Sequence, residues 1–249
     1  MTSPESVQLS DEQREFMTFC QDQKVLKFDP ESGFQLKSKR MSPWFFNAGN
    51  LMQTGAGLQK LAKIYVDTLL RGFAPEWQVD TDILYGPAYK GLPLASVVVA
   101  ELYRQTGQDL GFASHRKEAK GHGADKGRDF GMKVTWKRSI LVDDVITAGT
   151  AARNSVEDIH ADNGTVNGMV VLLDRQEVAP PESWDATIPP APGEPRVSAI
   201  MQLETAEWIR VVSALTFAHI RQAIEEGLIG NGDIGAAMDK YNRRYGVNP

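Results

Sequence analysis

The chain has 249 residues and a net charge of −5, which argues against a dedicated nucleic-acid-binding protein, because affinity for a phosphate backbone needs a basic surface. Hydrophobic residues make up 42% of the chain and charged residues 24%, so we expect a globular protein with a sizeable core, and the single Cys20 excludes a disulfide framework. No apolar run approaches the ~20 residues of a membrane span and residues 1–10 lack a secretory pattern, so we expect a cytoplasmic location.

The first part of the chain predicts two helices with short strands between them. Ser10 and Gln13 form a capping-box signature that opens a predicted helix at 11–23. Residues 25–46 carry shorter patterns broken by turn residues, which predict short strands. Apolar residues at helical spacing predict a second helix at about 55–71.

Further along the chain, short apolar runs alternate with helical stretches. The predicted strands lie at 83–85, 111–113, 139–142, 167–173 and 197–203. The predicted helices lie at 92–105, 149–161, 205–212 and 216–226. This alternation implies βαβ units, and therefore an α/β fold with a mostly parallel sheet flanked by helices.

Two segments break that alternation. Segment 114–129 has almost nothing apolar to bury, so we expect a mobile surface loop or a β-ribbon arm. It is net positive in an acidic chain, and its glycines would let it fold over a bound ligand. Segment 180–195 holds six of the thirteen prolines, which indicates an irregular surface insertion.

One segment carries clear chemistry. An apolar strand ends at the adjacent carboxylates Asp143 and Asp144, and a loop of small and hydroxyl residues then leads into a helix. In a parallel sheet such a loop lies at the carboxyl ends of the strands, where open α/β sheets bind ligands. Its backbone amides favour an anion, Thr147 and Thr150 add hydroxyl donors, and Gly149 permits close approach of a phosphate.

Two carboxylates beside a phosphate site would repel that phosphate. They make sense if they accept hydrogen bonds from ribose hydroxyls or act through a magnesium ion. The P-loop motif G-x-x-x-x-G-K-[ST] is absent, and no G-x-G-x-x-G follows a predicted strand. The segment therefore favours a sugar phosphate as ligand.

This segment resembles the phosphoribosyl-pyrophosphate (PRPP) motif of type I phosphoribosyltransferases. Four other segments are similar, in order and spacing, to orotate phosphoribosyltransferases: 45–49, 85–91, 116–123 and 173–177. The resemblance covers about residues 13–178, fades across the proline-rich insertion and returns weakly over 197–226. It implies a single type I phosphoribosyltransferase domain over 1–249, with an α/β core at about 55–226 and a small hood largely from about 1–50.

The resemblance implies a pyrimidine-biosynthetic reaction in which orotate displaces pyrophosphate from PRPP and yields orotidine 5′-monophosphate. Magnesium would arrive bound to PRPP, held largely by phosphate and ribose oxygens, and no all-protein metal cage is expected. Lys120 is the first choice as catalytic residue, acting on the departing pyrophosphate, with His122 and Asp144 as further catalytic residues. Loop 114–129 would reach into the neighbouring subunit's site, which implies a homodimer.

The resemblance also implies two sets of substrate-binding residues. The PRPP set combines an N-terminal lysine, a pyrophosphate loop, the loop at 114–129 and the motif itself: Lys27, Tyr89, Lys90, Arg116, Lys117, Lys120, His122, Asp143, Asp144, Val145, Ile146, Thr147, Ala148, Gly149, Thr150 and Ala151. The orotate set provides an aromatic platform and a guanidinium fork suited to a carboxylate: Lys27, Phe45, Phe46, Thr147 and Arg175.

Other interpretations stay open at this point. The paired aspartates alone are compatible with a strand-end turn, and a charged loop is commonly a solvated one. A purine-base phosphoribosyltransferase would share residues 143–151 but would not need Phe45, Phe46 or Arg175. A non-catalytic PRPP-binding regulator would be expected to carry a DNA-binding module and a basic face.

Overall fold

The computed structural model describes residues 7–73, 80–120, 127–146, 149–180 and 186–247, and for 117–120 and 127–129 only the backbone. The chain starts with helix α1 (Asp11–Asp22), which the predicted capping box at Ser10 opens. Four short strands then confirm the prediction for 25–46: β1 (Leu26–Phe28), β2 (Phe34–Gln35), β3 (Met41–Ser42) and β4 (Trp44–Phe46). β1 pairs with β4 and β2 with β3, both antiparallel, and together they form two small sheets in the segment predicted as the hood.

A six-stranded sheet follows after a 3₁₀ helix (Ala48–Gln53) and helix α2 (Gly55–Phe73). Its strands are β5 (Ile83–Tyr85), β6 (Gly111–Lys120), β7 (Gly127–Gly131), β8 (Arg138–Val145), β9 (Thr165–Asp174) and β10 (Arg210–Thr216). The spatial order is β10-β9-β8-β5-β6-β7, and every neighbouring pair is parallel except β6 and β7. The prediction of a mostly parallel sheet is therefore confirmed.

Helices cover the sheet on both faces, and the central strands show why. Ile140 and Val142 of β8 belong to one apolar cluster, which includes residues of α2 and of helix α3 (Gly91–Thr106). Leu141, between them, belongs to a second cluster with residues of helix α4 (Thr150–Ala161). Because successive side chains of a strand point to opposite faces, an unbroken apolar run requires a cover on each side.

The topology brings three segments to one edge of the sheet. Since β5, β8 and β9 run parallel, the residues that follow them meet at their common carboxyl ends. These residues are the loop at 86–90, the paired aspartates with the start of α4, and Asp174 with Arg175. The paired aspartates therefore lie at the carboxyl edge of the sheet, as the sequence analysis predicted.

The prediction was wrong in the C-terminal third. Helix α5 (Ala199–Glu207) takes most of the predicted strand at 197–203 and the first residues of the predicted helix at 205–212. The end of that predicted helix is instead the start of strand β10. Ser198 caps α5 through the backbone N–H of Met201, and Trp208 ends it with a φ of 55°. A short apolar run has no decisive period, so the cap and the left-handed residue decide between helix and strand.

Two further helices complete the chain. Helix α6 (Phe217–Glu225) confirms the helix predicted at 216–226. Helix α7 (Gly232–Tyr245) was not predicted, and it buries Met238, Tyr241 and Tyr245 against the rest of the protein. Within the described ranges, no helix combines the length and the apolar character needed to cross a bilayer.

The described parts of the segment predicted at 114–129, residues 114–120 and 127–129, take the β-ribbon form, one of the two alternatives. β6 and β7 pair antiparallel from Ala113 opposite Gly131 to Lys120 opposite Gly127, with an irregularity between. We call this pair of strands the arm. In the proline-rich segment, residues 186–195 contain turns but neither helix nor strand, as predicted for an irregular insertion.

Candidate active site

A cavity of about 250 Å³ lies at the carboxyl edge of the sheet, between the loop after β5 and the start of α4. Gly149 caps α4 with a φ of 73°, a left-handed conformation that glycine adopts without steric cost. The first residues of α4, Thr150 and Ala151, line the cavity, so the positive end of the helix dipole faces it. This end of the cavity is built to attract an anion.

The paired aspartates form the floor of this cavity. Asp144 receives a 2.8 Å hydrogen bond from Nζ of Lys90, which follows β5. Burial and the neighbouring Asp144 raise the pKa of Asp143 to about 7. Asp144 is thus paired with a cation, while Asp143 titrates near neutrality and can donate or accept a hydrogen bond.

Helix α2 fixes the backbone of the aspartate pair. The hydroxyl of Tyr65 donates a 2.6 Å hydrogen bond to the main-chain oxygen of Asp143. Burial raises the pKa of Tyr65 well above its usual value, so the hydroxyl keeps its proton. Sequence reasoning missed this residue, because an aromatic at helical spacing carries no signal beyond core packing.

The loop after β5 turns tightly into α3, and the start of α3 packs close to β8. A Cβ on Gly86 would lie 2.0 Å from the main-chain oxygen of Gly91, and a Cβ on Gly91 would lie 2.9 Å from that of Val142. Only glycine allows this approach, which sets Tyr89 and Lys90 at the mouth of the cavity. The peptide bond between Ala88 and Tyr89 is cis.

A second cavity of about 260 Å³ adjoins the first. The two share several lining residues, namely Lys37, Lys90, Asp144, Val145 and Ile146. Phe45, Phe46 and Arg175 contribute to its wall, so the predicted aromatic platform and guanidinium meet in one place. A flat anion in the second cavity would therefore lie beside a sugar phosphate in the first.

Arg175 is buried in this wall, with 7% of it exposed. Its Nε donates to Glu177 at 2.7 Å, its Nη2 donates to Ser42 at 3.0 Å, and its ζ-carbon lies 3.7 Å from the ring centroid of Trp44. The guanidinium is thus stacked on an aromatic face and held by two hydrogen bonds. A fixed cation of this kind is preorganised for a planar carboxylate.

Comparisons with known proteins agree with this geometry. No protein-family model matches the chain. The chain is 38% identical over 235 residues to the orotate phosphoribosyltransferase of Halorhodospira halophila, covering 94% of this chain and 98% of that protein. It is 45% identical over 164 residues to that of Schizosaccharomyces pombe, covering 66% and 72% of the two chains.

The chain belongs to the orotate phosphoribosyltransferase family. Among solved structures, it matches the orotate phosphoribosyltransferase of Francisella tularensis with a TM-score of 0.75 and 33% identity, over 93% of this chain and 99% of that one. The type I phosphoribosyltransferase fold expected from the resemblance is thereby confirmed.

The structure brings most of the residues implied by the family resemblance to the two cavities. The first is lined by Tyr89, Lys90, Asp143, Asp144, Val145, Ile146, Gly149, Thr150 and Ala151. The second is lined by Phe45, Phe46 and Arg175 together with part of the first set. Thr147 and Ala148 of the motif lie outside the described residues.

Of the described side chains, Lys27 and Arg116 are not among those that line either cavity. Lys27 is exposed on β1, directly opposite Phe45 of β4, and therefore on the same face as one platform residue. Arg116 lies on the arm with its ζ-carbon 5.4 Å from the ring centroid of Phe130. Their roles toward substrate stay predictions.

The catalytic residues expected on the arm are described only in part. Lys117 and Lys120 lie on β6, where the backbone but not the side chain is described, and His122 lies outside the described residues. At the root of the arm, His115 is buried, with its Nε2 3.4 Å from a carboxylate oxygen of Asp162, just after α4. The root of the arm is therefore anchored beside the helix that starts at the anion site.

Several residues of the second cavity were missed by sequence reasoning. They are Lys37, Arg40, Asp174 and Glu177. Asp174 ends β9, and burial raises its pKa. Lys37 and Arg40 lie between β2 and β3, where their local pattern does not distinguish them from surface charges. Asp174 and Glu177 flank Arg175 in segment 173–177, where the family resemblance pointed to Arg175 alone.

Proposed function

We propose that this chain catalyses the magnesium-dependent transfer of ribose 5-phosphate from PRPP to orotate, with pyrophosphate as the leaving group. The observation that carries the proposal is the pair of adjoining cavities that share Lys90 and Asp144. One cavity has a helix N-terminus and two carboxylates, and the other has an aromatic wall and a buried guanidinium. Family membership favours orotate over a purine base and favours catalysis over a purely regulatory role.

In this proposal the 5′-phosphate binds at Gly149, Thr150 and Ala151, where backbone amides and the helix dipole favour an anion. Asp143 and Asp144 accept hydrogen bonds from the ribose hydroxyls. Lys90, already paired with Asp144 at 2.8 Å, lies within reach of the pyrophosphate. The ribose thus bridges the two cavities, with its reacting carbon toward the second.

Orotate in the second cavity lies against Phe45 and Phe46, with its carboxylate toward Arg175 and with Lys27 and Thr147 as further contacts. The guanidinium supplies the countercharge, and the aromatic wall replaces water around the flat ring. Orientation of the attacking ring nitrogen toward the ribose carbon lowers the entropic part of the barrier.

The leaving pyrophosphate gains charge as the glycosidic bond breaks. Cations aimed at that charge stabilise the transition state, and a closed site excludes water. We assign this task to the arm, with Lys120 as the main catalytic residue, His122 as a second, and Arg116 and Lys117 as further contacts. Asp144 assists from the opposite side by holding the ribose.

Magnesium fits the donor chemistry of the first cavity, since Asp143 and Asp144 present the hard oxygen ligands that this ion prefers. We propose that the ion arrives with PRPP and is held largely by phosphate and ribose oxygens. When bound, it neutralises charge on the pyrophosphate. The protein's own contribution is the pair of carboxylates and the cations around them.

An initial-rate assay tests the proposed reaction. The protein is mixed with PRPP, magnesium chloride and orotate, and the loss of orotate absorbance is followed, with adenine and hypoxanthine as alternative bases. We expect rapid turnover of orotate and none of the purines. If a purine reacts while orotate is inert, the base assignment is wrong, and PRPP binding without any turnover would favour the regulator.

We further propose a cytoplasmic homodimer in which each arm completes the partner's site. Mixing inactive Asp144→Asn chains with inactive Lys120→Ala chains should restore activity, because one of the two sites then receives both an intact arm and an intact aspartate pair. Mixing Asp144→Asn with Asp143→Asn is the matched control, since both defects lie in the same motif. Verified mixed dimers without recovered activity would contradict the shared site.

A further inference from the structure

Glu177 forms a hydrogen-bonding node in the wall of the second cavity. Its Oε1 accepts a 2.7 Å hydrogen bond from Nε of Arg175, and its Oε2 accepts a 3.1 Å hydrogen bond from the hydroxyl of Tyr241 on α7. Nη1 of Arg40 lies 3.6 Å from the same Oε2. Both carboxylate oxygens are therefore engaged, by three side chains from distant parts of the sequence.

Arg40 is held rigidly, so it can serve as an anchor for that node. Only 2% of it is exposed. Its Nε donates to the main-chain oxygen of Ala186 at 2.7 Å and its Nη1 donates to that of Val178 at 2.9 Å. Its ζ-carbon also lies 4.7 Å from the ring centroid of Tyr245.

The charges of the cluster indicate what the node does. Arg40 and Arg175 are both buried cations, and Glu177 is the carboxylate that contacts them both. Burial and the neighbouring Glu177 raise the pKa of Tyr241, so this hydroxyl keeps its proton and acts as a donor. The cluster keeps one net positive charge at the wall of the cavity, and an isolated second cation there would carry a large desolvation cost.

We propose that Glu177 is a positioning residue, which holds the guanidinium of Arg175 in the orientation that receives the carboxylate of orotate. Arg40, which also lines the cavity, and Tyr241 on α7 act by fixing Glu177. The proposal rests on the proposed function, in which Arg175 contacts orotate. It also gives helix α7 a role in substrate recognition, although α7 lines neither cavity among the residues that the structure describes.

Glu177→Gln tests the proposal with little change in shape. The glutamine side chain can still accept one hydrogen bond, but the substitution removes the negative charge that lies between the two guanidinium groups. We expect the KM for orotate to rise about tenfold, the size of one lost charge-assisted hydrogen bond, while the KM for PRPP changes less than about twofold. Glu225→Gln is the control, because it likewise replaces a glutamate that is paired with an arginine, Arg221, but at an exposed site.

A double-mutant cycle separates positioning from a direct or merely structural role. If Glu177 acts through Arg175, the Arg175→Ala/Glu177→Gln variant should have the orotate KM of Arg175→Ala alone. Effects that multiply in the double variant, or an orotate KM that is unchanged or lowered by Glu177→Gln, overturn the proposal. An Arg175→Ala variant with normal orotate KM overturns instead the assignment of Arg175 in the proposed function.

Tyr241→Phe keeps the proposal testable if Glu177→Gln does not fold. This variant retains every charge and removes only the hydroxyl that donates to Glu177. We expect a rise in the orotate KM of about threefold, in keeping with one ordinary hydrogen bond, with the PRPP KM unchanged. An unchanged orotate KM in the folded Tyr241→Phe protein would overturn the role of the node.

Discussion

The two cavities of the cleft are built in different ways. Among the described residues, the wall of the first comes largely from 87–90, after β5, and from 143–146 and 149–152, at the end of β8 and the start of α4. The wall of the second comes from segments around 36–46, 174–180 and 198–200. One cavity is a local property of strand–loop–helix units, whereas the other exists only once distant parts of the chain have packed together.

The two cavities also differ in how their charges are satisfied. In the first, Asp143 and Asp144 lie next to each other, and burial with mutual repulsion raises the pKa of Asp143 to about 7. In the second, Glu177 is shared between Arg40 and Arg175. The first cavity thus holds two acidic groups forced together under burial, and the second holds two guanidinium groups on one carboxylate, with one net positive charge.

The largest expected effect concerns the arm, whose described side chains line neither cavity. Lys120→Ala should lower kcat by about a hundredfold or more, because a cation at the leaving pyrophosphate acts mainly in the transition state, while the KM for PRPP changes little. Steady-state kinetics measure both constants, with Lys63→Ala on the exposed face of α2 as control. An unchanged kcat would remove Lys120 from the mechanism.

The next effect tests the two acidic groups of the first cavity. The pKa of Asp143 is about 7 in the folded protein against 3.8 ordinarily. Between about pH 4 and pH 7, Asp143 therefore keeps its proton in the native state but loses it in the unfolded chain. The wild type should therefore lose stability relative to Asp143→Asn as the pH rises through this window, by roughly 2–4 kcal/mol in total.

Urea unfolding of both proteins at several pH values measures that difference. Asp233→Asn on the exposed start of α7 is the control for the removal of a surface carboxylate. A constant difference between wild type and Asp143→Asn from pH 4 to 8 would mean that Asp143 is not held in a strained, charged pair.

The aromatic wall of the second cavity gives a smaller effect. Phe45→Ala should raise the KM for orotate by about tenfold through loss of ring contact, with little change in the KM for PRPP. Initial rates with each substrate varied in turn separate the two constants. Equal changes in both would mean that the two cavities do not divide the substrates as proposed.

The smallest effect tests how the core supports the first cavity. Tyr65→Phe removes the hydrogen bond to the main-chain oxygen of Asp143 and should cost about 1 kcal/mol of unfolding free energy. The KM for PRPP should rise by a few-fold at most, and the KM for orotate should stay constant. A larger effect on orotate than on PRPP would contradict the assignment of Asp143 to the first cavity.

The contrast between the cavities explains what could be predicted from sequence. Residues 140–151 are contiguous, so a strand, two acids and a helix start could be identified together, and the sheet edge then placed them. Arg40, Glu177 and Tyr241 meet only through tertiary packing, and no local pattern links them. The same limit explains the exchanged helix and strand around α5 and β10, where a short apolar run fits either structure and Ser198 and Trp208 decide.

The most direct measurement is a crystal structure of the protein with PRPP, magnesium and a non-reacting orotate analogue. The account predicts the 5′-phosphate at the start of α4, the ribose hydroxyls at Asp143 and Asp144, and the analogue's carboxylate at Arg175 between the platform and β9. A structure with the sugar phosphate in the second cavity, or with the base analogue bound away from Arg175 and Phe45, would contradict it.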